Sequence, residues 1–335
     1  MSRYTALFTA LALTFGFALT ACGGSGGGGT TFVPPSGTGS LIYTTDSGNA
    51  IQEFGASANG NVSPLASISG VNTQLNGATG IARDSSGRIY TANQSGNQIV
   101  AFSSTVTGNA SPLFQISGGN TQLNGPVGIA FDSSGRLWVA NTGSNTVTAY
   151  GSPSTSNGNV SPAITLSGSN TALFEPVGVS FDGGGNLYVA NFQTSAVNVY
   201  SAAGIAGAAG NGNIAPTRTI SGTNTGLNAP GLLFSTSAGV IYVPNTAANS
   251  VTVFAAGASG NVAPTSTIVG ANTGLFSPEG VVVDGSGNID VANFGNPGFP
   301  GSINVFPAGS NGNVTPTQLI SGTNTGLYGT IGISL

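Results

Sequence analysis

The sequence predicts an all-β fold, a six-bladed β-propeller with four antiparallel strands per blade, on three observations. A block that opens on Gly and closes on Asn recurs as GIARDSSGRIYTAN (80–93), GIAFDSSGRLWVAN (128–141), GVSFDGGGNLYVAN (178–191), GLLFSTSAGVIYVPN (231–245) and GVVVDGSGNIDVAN (280–293). Its leading glycines stand 48, 50, 53 and 49 residues apart. Two further motifs recur six times each: Gly-Asn-x-x-Pro, as in GNVSP (60–64) and GNVTP (312–316), and a following segment such as SGGNTQL (117–123) or SGTNTGL (321–327). A period near 50 suits a propeller blade, whereas a β-helix coil is about half as long.

Each unit divides into four short runs. In the third these are Val127–Phe131, Leu137–Ala140, Thr146–Tyr150 and Ala163–Ser167, rich in β-branched and aromatic residues and bounded by Gly, Asn, Ser or Pro. Asp132-Ser133-Ser134-Gly135 between the first two is a tight turn, with Asp at its first position and Gly at its last. Four antiparallel strands make one blade.

The ends of the repeat region complete each other. Leu41-Ile42-Tyr43-Thr44-Thr45 matches Arg88-Ile89-Tyr90-Thr91-Ala92, the second strand of a unit. Thr330-Ile331-Gly332-Ile333-Ser334-Leu335 matches Pro126-Val127-Gly128-Ile129-Ala130-Phe131, the first strand. One composite blade therefore forms from both ends, giving six blades over residues 41–335, about 49 residues each. Closing the ring also removes sheet edges that a chain without Lys is poorly equipped to protect.

Ahead of the repeats, residues 1–21 carry Arg3 and an apolar run from Ala6 to Thr20, too short for a membrane span and suited to a signal peptide. Leu19-Thr20-Ala21-Cys22 resembles the lipobox of bacterial lipoproteins, in which the Cys is lipidated and becomes the first mature residue. Cys22 is the only cysteine, so no internal disulfide competes for it. Residues 22–40 are Gly/Ser-rich and read as a flexible tether. By the same resemblance, Gly23 after the Cys implies sorting to the outer membrane of a Gram-negative cell envelope. The expected membrane contact is the N-terminal lipid.

Of 335 residues only 14 are charged, five Arg and nine Asp or Glu, with no Lys and no His. Without a basic patch, nucleic acid is not an expected partner. Without His, Ser-His-Asp triads and His-ligated metals are excluded.

The repeat resembles the NHL repeats of six-bladed propellers, which run Pro-x-Gly-hydrophobic, Asp-x-x-Gly, then hydrophobic-Tyr-Val-Ala-Asp. Here Asn93, Asn141, Asn191, Asn245 and Asn293 stand where that family often has Asp. The resemblance implies the fold and leaves function open, and NHL-type lyases that rely on His are excluded. It also implies that first strands line the central channel and that their leading ends open on the face that binds ligands.

Four acids occupy the repeated turn (Asp84, Asp132, Asp182 and Asp284), and Asp46 takes the Asn position of blade 1. Glu53 precedes a strand-ending aromatic. Glu175 and Glu279 lie at the leading ends of first strands. In blade 6, Asp290 replaces the aromatic found at Tyr43, Tyr90, Trp138, Tyr188 and Tyr242, and the next loop, 293–302, is enlarged and carries Phe294 and Phe299. Glu175, Glu279, Phe294 and Phe299 are thus the candidate ligand-binding residues, a carboxylate beside exposed rings. Arg83 sits where Phe131, Phe181 and Phe234 supply apolar packing, and the sequence names no partner for it.

The expected function is a lipid-anchored, non-catalytic binding module of the cell envelope, with a glycan, peptide or protein ligand and no cofactor, acting as a monomer. Two alternatives stand beside it. Gluconolactonase-type propellers hold a divalent ion at this mouth with a Glu before a Pro, and Glu175-Pro176 with Glu279 resembles part of that set; such a calcium-dependent hydrolase would bind Ca²⁺ through oxygen ligands. The other alternative is a purely structural envelope protein.

Overall fold

A computed structural model describes residues 41–151, 157–295 and 300–335. The lipobox with Cys22, the tether and Phe299 lie outside the described residues. The described chain forms six antiparallel sheets arranged as six blades. Blade 3 is representative: Pro126–Phe131, Leu137–Asn141, Thr146–Tyr150 and Ile164–Leu166 follow one another from the innermost strand outward. Blade 1 joins Leu41–Asp46, Ala50–Gly55 and Ala66–Ser69 to the last strand, Thr330–Ser334, which pairs antiparallel with Leu41–Asp46 as its innermost member. The composite blade read from the sequence is therefore present.

The inner strands explain the leading glycines. Gly80, Gly128, Gly178, Gly231, Gly280 and Gly332 form a circle in which each faces the backbone of the next blade. A Cβ on any of them would come closer than 3.0 Å to the carbonyl oxygen of Val127, Val177, Gly231, Glu279, Ile331 or Thr79 respectively. At these contacts only a residue without a side chain fits, whereas in blade 5 the register position of Gly178 falls on Leu232, one residue past Gly231.

A second circle runs around the outside. The Gly of each Gly-Asn-x-x-Pro motif bridges in parallel to the outer strand of the preceding blade, as Gly108 does to Ile68 and Gly60 to Ile320. The adjacent Asn then accepts the backbone N–H of the Asn in the third motif. Asn109 Oδ1 receives Asn72 N at 2.7 Å, and the same joint recurs for Asn159, Asn213, Asn261 and Asn313. Asn61 receives Asn324 N at 2.7 Å and so closes this circle across the chain ends. The buried Thr of the third motif holds its own turn: Thr73 Oγ1 donates to Gly70 O at 2.6 Å and accepts from Leu75 N. Two of the three repeated motifs are thus blade-to-blade joints.

Two departures from regularity appear. The inner strand of blade 5 shrinks to Phe234–Ser235, because Leu232 gives its N–H to Glu279 O and its carbonyl to Val281 N of blade 6. The extra residues of blade 4 form a short helix, Ala202–Ala206, capped by Ser201, and a strand, Gly210–Gly212, that adds in parallel to the outer edge of blade 3. A helix of this size leaves no trace in hydrophobic periodicity.

The repeated acids are structural. In blade 3, Asp132 Oδ1 receives the N–H groups of Ser134 and Arg136, while Oδ2 receives Trp138 Nε1 at 2.8 Å and pairs with Arg136 Nε at 2.7 Å. Burial opposes the charge on this carboxyl, but these donors outweigh it and hold its pKa below the usual range. Tyr90 and Tyr188 make the same contact to Asp84 and Asp182. Two of these rings also pack on the next blade, Tyr90 edge-on to Phe131 at 5.1 Å and Trp138 to Phe181 at 5.5 Å.

Blade 6 lacks that ring. Asp290 replaces it, is 3% exposed, and has an Oδ1 without a hydrogen-bond partner. Burial, with the like charge of Asp284 added, pushes its carboxyl up to about 7. A folded pKa above the unfolded one stabilises the fold while the group is protonated, and that contribution disappears as pH rises through about 7. The unfolding constant is therefore expected to grow by up to about tenfold per pH unit as the pH approaches 7 from below. Asp290→Asn should remove most of the decline between about pH 6 and 7.5, the remainder belonging to Asp46, whose carboxyl is raised to about 6. A melting temperature that stays level or rises over that window in the parent protein would contradict this reading.

Candidate functional site

Each blade has two ends. Inner strands begin, and second strands end, on one face, here the leading face; the Asp turns lie on the other, the turn face. On the leading face the asparagines that close the first motif clamp the loop before each inner strand. Asn93, Asn141, Asn191, Asn245 and Asn293 each accept, through Oδ1, the N–H of Asn76, Asn124, Phe174, Asn228 and Phe276, at 2.6–3.2 Å. Asp46 does this in blade 1: it is fully buried, its Oδ2 receives Tyr328 N and Gly329 N, and its Oδ1 receives Gly48 N. Burial pushes this carboxyl up to about 6, opposed by those three N–H donors. Asn49, Asn97, Asn145 and Asn249 add a second clamp onto the following blade, as Asn145 Oδ1 does on Glu175 N at 2.7 Å. The Asn-rich loops are thus largely committed to holding the ring.

These clamps place six residues at equivalent points around the mouth: Asn76, Asn124, Phe174, Asn228, Phe276 and Tyr328. Three are aromatic and exposed, Phe174 at 47%, Phe276 at 43% and Tyr328 at 71%. They belong to blades 4, 6 and 1. Fixed backbone and free rings make a stacking surface with a wet rim.

The residues singled out from sequence fall unevenly around it. Glu175 follows Phe174 directly, adopts a left-handed backbone with φ 47°, and keeps a buried Oε2 without a hydrogen-bond partner. Glu279 is 2% exposed, so its side chain is packed into the ring rather than presented at the mouth, and its carbonyl receives Leu232 N at 2.7 Å. Phe294 is buried as well and packs beside Gly329, so it supports the rim instead of forming an exposed ring. Among the described residues no three Asp, Glu or Cys side chains come together in a metal-binding group. Phe174, Phe276 and Tyr328 escaped the sequence reading as a set. The signal was present, since each directly follows the Leu of the third motif.

A separate cavity of about 360 Å³ occupies the turn-face half of the channel. Ile81, Ile129, Val179, Leu233, Val281 and Ile333 line its wall, together with Phe131, Phe181, Phe234 and Arg83. Arg83 lies over the Tyr43 ring, 4.7 Å from its centroid, which supplies the partner that the sequence left unnamed. Glu175, Glu279 and Phe294 do not line this cavity.

The NHL repeat family model matches residues 123–150. No curated protein matches the sequence. Several solved structures share the fold at low identity. A protein of unknown function from Bacteroides caccae is 10% identical over 88% of this chain and 98% of its own, with a TM-score of 0.60. A chain of a nidogen/laminin complex is 14% identical over 88% and 96%, with a TM-score of 0.59. A catalytically inactive virginiamycin B lyase from Staphylococcus aureus, with quinupristin, is 12% identical over 83% of each chain, with a TM-score of 0.52. These likenesses concern the fold.

Proposed function

We propose that the protein is a lipid-anchored, non-catalytic binding module whose ligand surface is the leading face of the propeller. The observation that carries the binding role is the placement of Phe174, Phe276 and Tyr328 at equivalent, clamped and exposed positions around one mouth. Exposed rings held on rigid backbone suit a sugar face or an apolar peptide side chain, and Glu175 beside Phe174 adds a carboxylate to the same rim. The anchor rests on the Leu19–Cys22 lipobox and the tether over residues 22–40, which would hold the ring off an outer-membrane surface. Such a module acts as a monomer and takes a glycan, peptide or protein ligand.

A calcium-dependent hydrolase is the second reading. The partnerless Oε2 of Glu175 favours it, and calcium bound stoichiometrically to the purified protein would support it over the first.

One experiment addresses anchor and surface together. Cys22→Ser should move the protein into the soluble fraction, and the released form should bind members of a glycan or peptide array. Replacing Phe174, Phe276 and Tyr328 together with Ala should weaken that binding more than about tenfold. The melting temperature should hardly change, since the three rings are exposed. A Cys22→Ser protein that resists carbonate washing from membranes contradicts the anchor. An array without binders, or a triple variant that binds as well as its parent, contradicts the surface.

A further inference from the structure

The turn-face cavity has a feature that packing does not account for. Six equivalent positions border it where the inner strands end: Phe131, Phe181, Val283 and Leu335 are apolar, and Ser235 is the fifth, since Phe234 stands one residue earlier in the register, opposite Tyr242. The sixth is Arg83, the only charged side chain among the lining residues. The other described arginines all have polar partners. Arg88 and Arg136 pair with Asp84 and Asp132 at 2.7 Å, and Arg218 donates to Ala258 O and Tyr188 Oη. Arg83 makes no ion pair within 4.0 Å among the described residues, and its buried Nε donates to nothing. A guanidinium is strongly favoured to find acceptors, and leaving one of its donors buried and unpaired is costly.

The surroundings favour an anionic acceptor. The guanidinium carbon lies over the Tyr43 ring, a cation–π contact that restrains the side chain. Glu53, cross-strand from Tyr43, is a counter-charge outside ion-pair range; burial raises its pKa and Arg83 lowers it. Hydroxyl oxygens border the cavity only at Ser180, Ser235 and Ser334, and the first two already share a 2.9 Å hydrogen bond. The remaining wall is Ile, Val, Leu, Phe, Ala and Gly. A volume of about 360 Å³ lies within the range of small-molecule pockets.

We infer that this end of the channel is a second binding site, for a small amphipathic carboxylate whose acid group meets Arg83 and whose apolar body fills the ring of inner strands. It is independent of the leading-face surface: the lining residues differ, and the two sites lie at opposite ends of the inner strands.

The test is calorimetric titration of the full-length protein with benzoate and octanoate, with benzamide as the neutral control and inorganic phosphate as an anion without an apolar body. At least one carboxylate should bind, with benzamide and phosphate each more than about tenfold weaker. Arg83→Phe installs the residue that blades 3 and 4 carry at this register, so it should fold with an unchanged or higher melting temperature and lose the carboxylate. The Phe174/Phe276/Tyr328 triple Ala variant should keep it, which separates this site from the one on the leading face. No carboxylate binding up to about 10 mM, equal binding of benzamide or phosphate, or undiminished binding by the Arg83→Phe protein would each overturn the assignment.

Discussion

Gly128→Ala should destabilise the protein by about 3 kcal/mol or more, an effect out of proportion to one methyl group. The added Cβ would come closer than 3.0 Å to Val177 O and lie 3.1 Å from the Cα of Gly178, both backbone atoms of blade 4. No side chain can swing aside to admit it. Blade 4 would have to retreat from the axis, and its own Gly178 is seated just as tightly against blade 5. Strain introduced at one point of the inner circle is therefore passed to the next joint. Gly285→Ala is the matched control: its Cβ would meet nothing within 4 Å and its φ is not in the left-handed region. It should change stability by less than about 0.5 kcal/mol. Urea denaturation of the two variants decides the point, and equal, small effects would mean that the inner strands are not packed as described.

The fold was legible because it is written six times. Strand runs, Asp turns and the complementary segments at Leu41 and Thr330 follow from repetition and from the patterning of single strands. The joints between blades were not legible. Asn109 and Asn72 are 37 residues apart and belong to different motifs, so each motif alone looks like polar loop sequence; only the arrangement in space makes one the acceptor for the other. The same holds for the inner glycines, whose repetition was visible but whose reason is a neighbouring backbone.

The candidate sites were legible only in part, for a physical reason. Departures from the repeat are visible in the sequence, and Asp290 and Arg83 stand out among them. What each anomaly does depends on the blade beside it: Asp290 takes the place of a ring that would donate to the turn Asp, and Arg83 stacks on Tyr43 of blade 1. Burial was also out of reach. Glu279 read as a strand-entry residue and Phe294 as a loop residue near a mouth, yet the convergence of inner strands and the packing beside Gly329 enclose them. Tyr328 is the reverse case, one step past a buried Leu and largely open to solvent.

The ring is closed by its own ends, and both proposed surfaces depend on that closure, since each is assembled from residues of several blades. The last strand holds the first through Thr44 Oγ1 donating to Gly332 O at 2.7 Å and Gly332 N donating to Thr45 Oγ1 at 2.8 Å. Ile331 and Ile333 are buried in the closing seam, at 0% and 6% exposure. Burying each such side chain contributes roughly 1.5–3 kcal/mol, a large share of a total that is typically ~5–15 kcal/mol. Deleting residues 330–335 is the most direct measurement. Stability should fall by several kcal/mol, with a melting temperature lower by at least about 10 °C or no cooperative transition at all. A truncated protein that melts where the intact one does would show that the ring is not held closed by this strand.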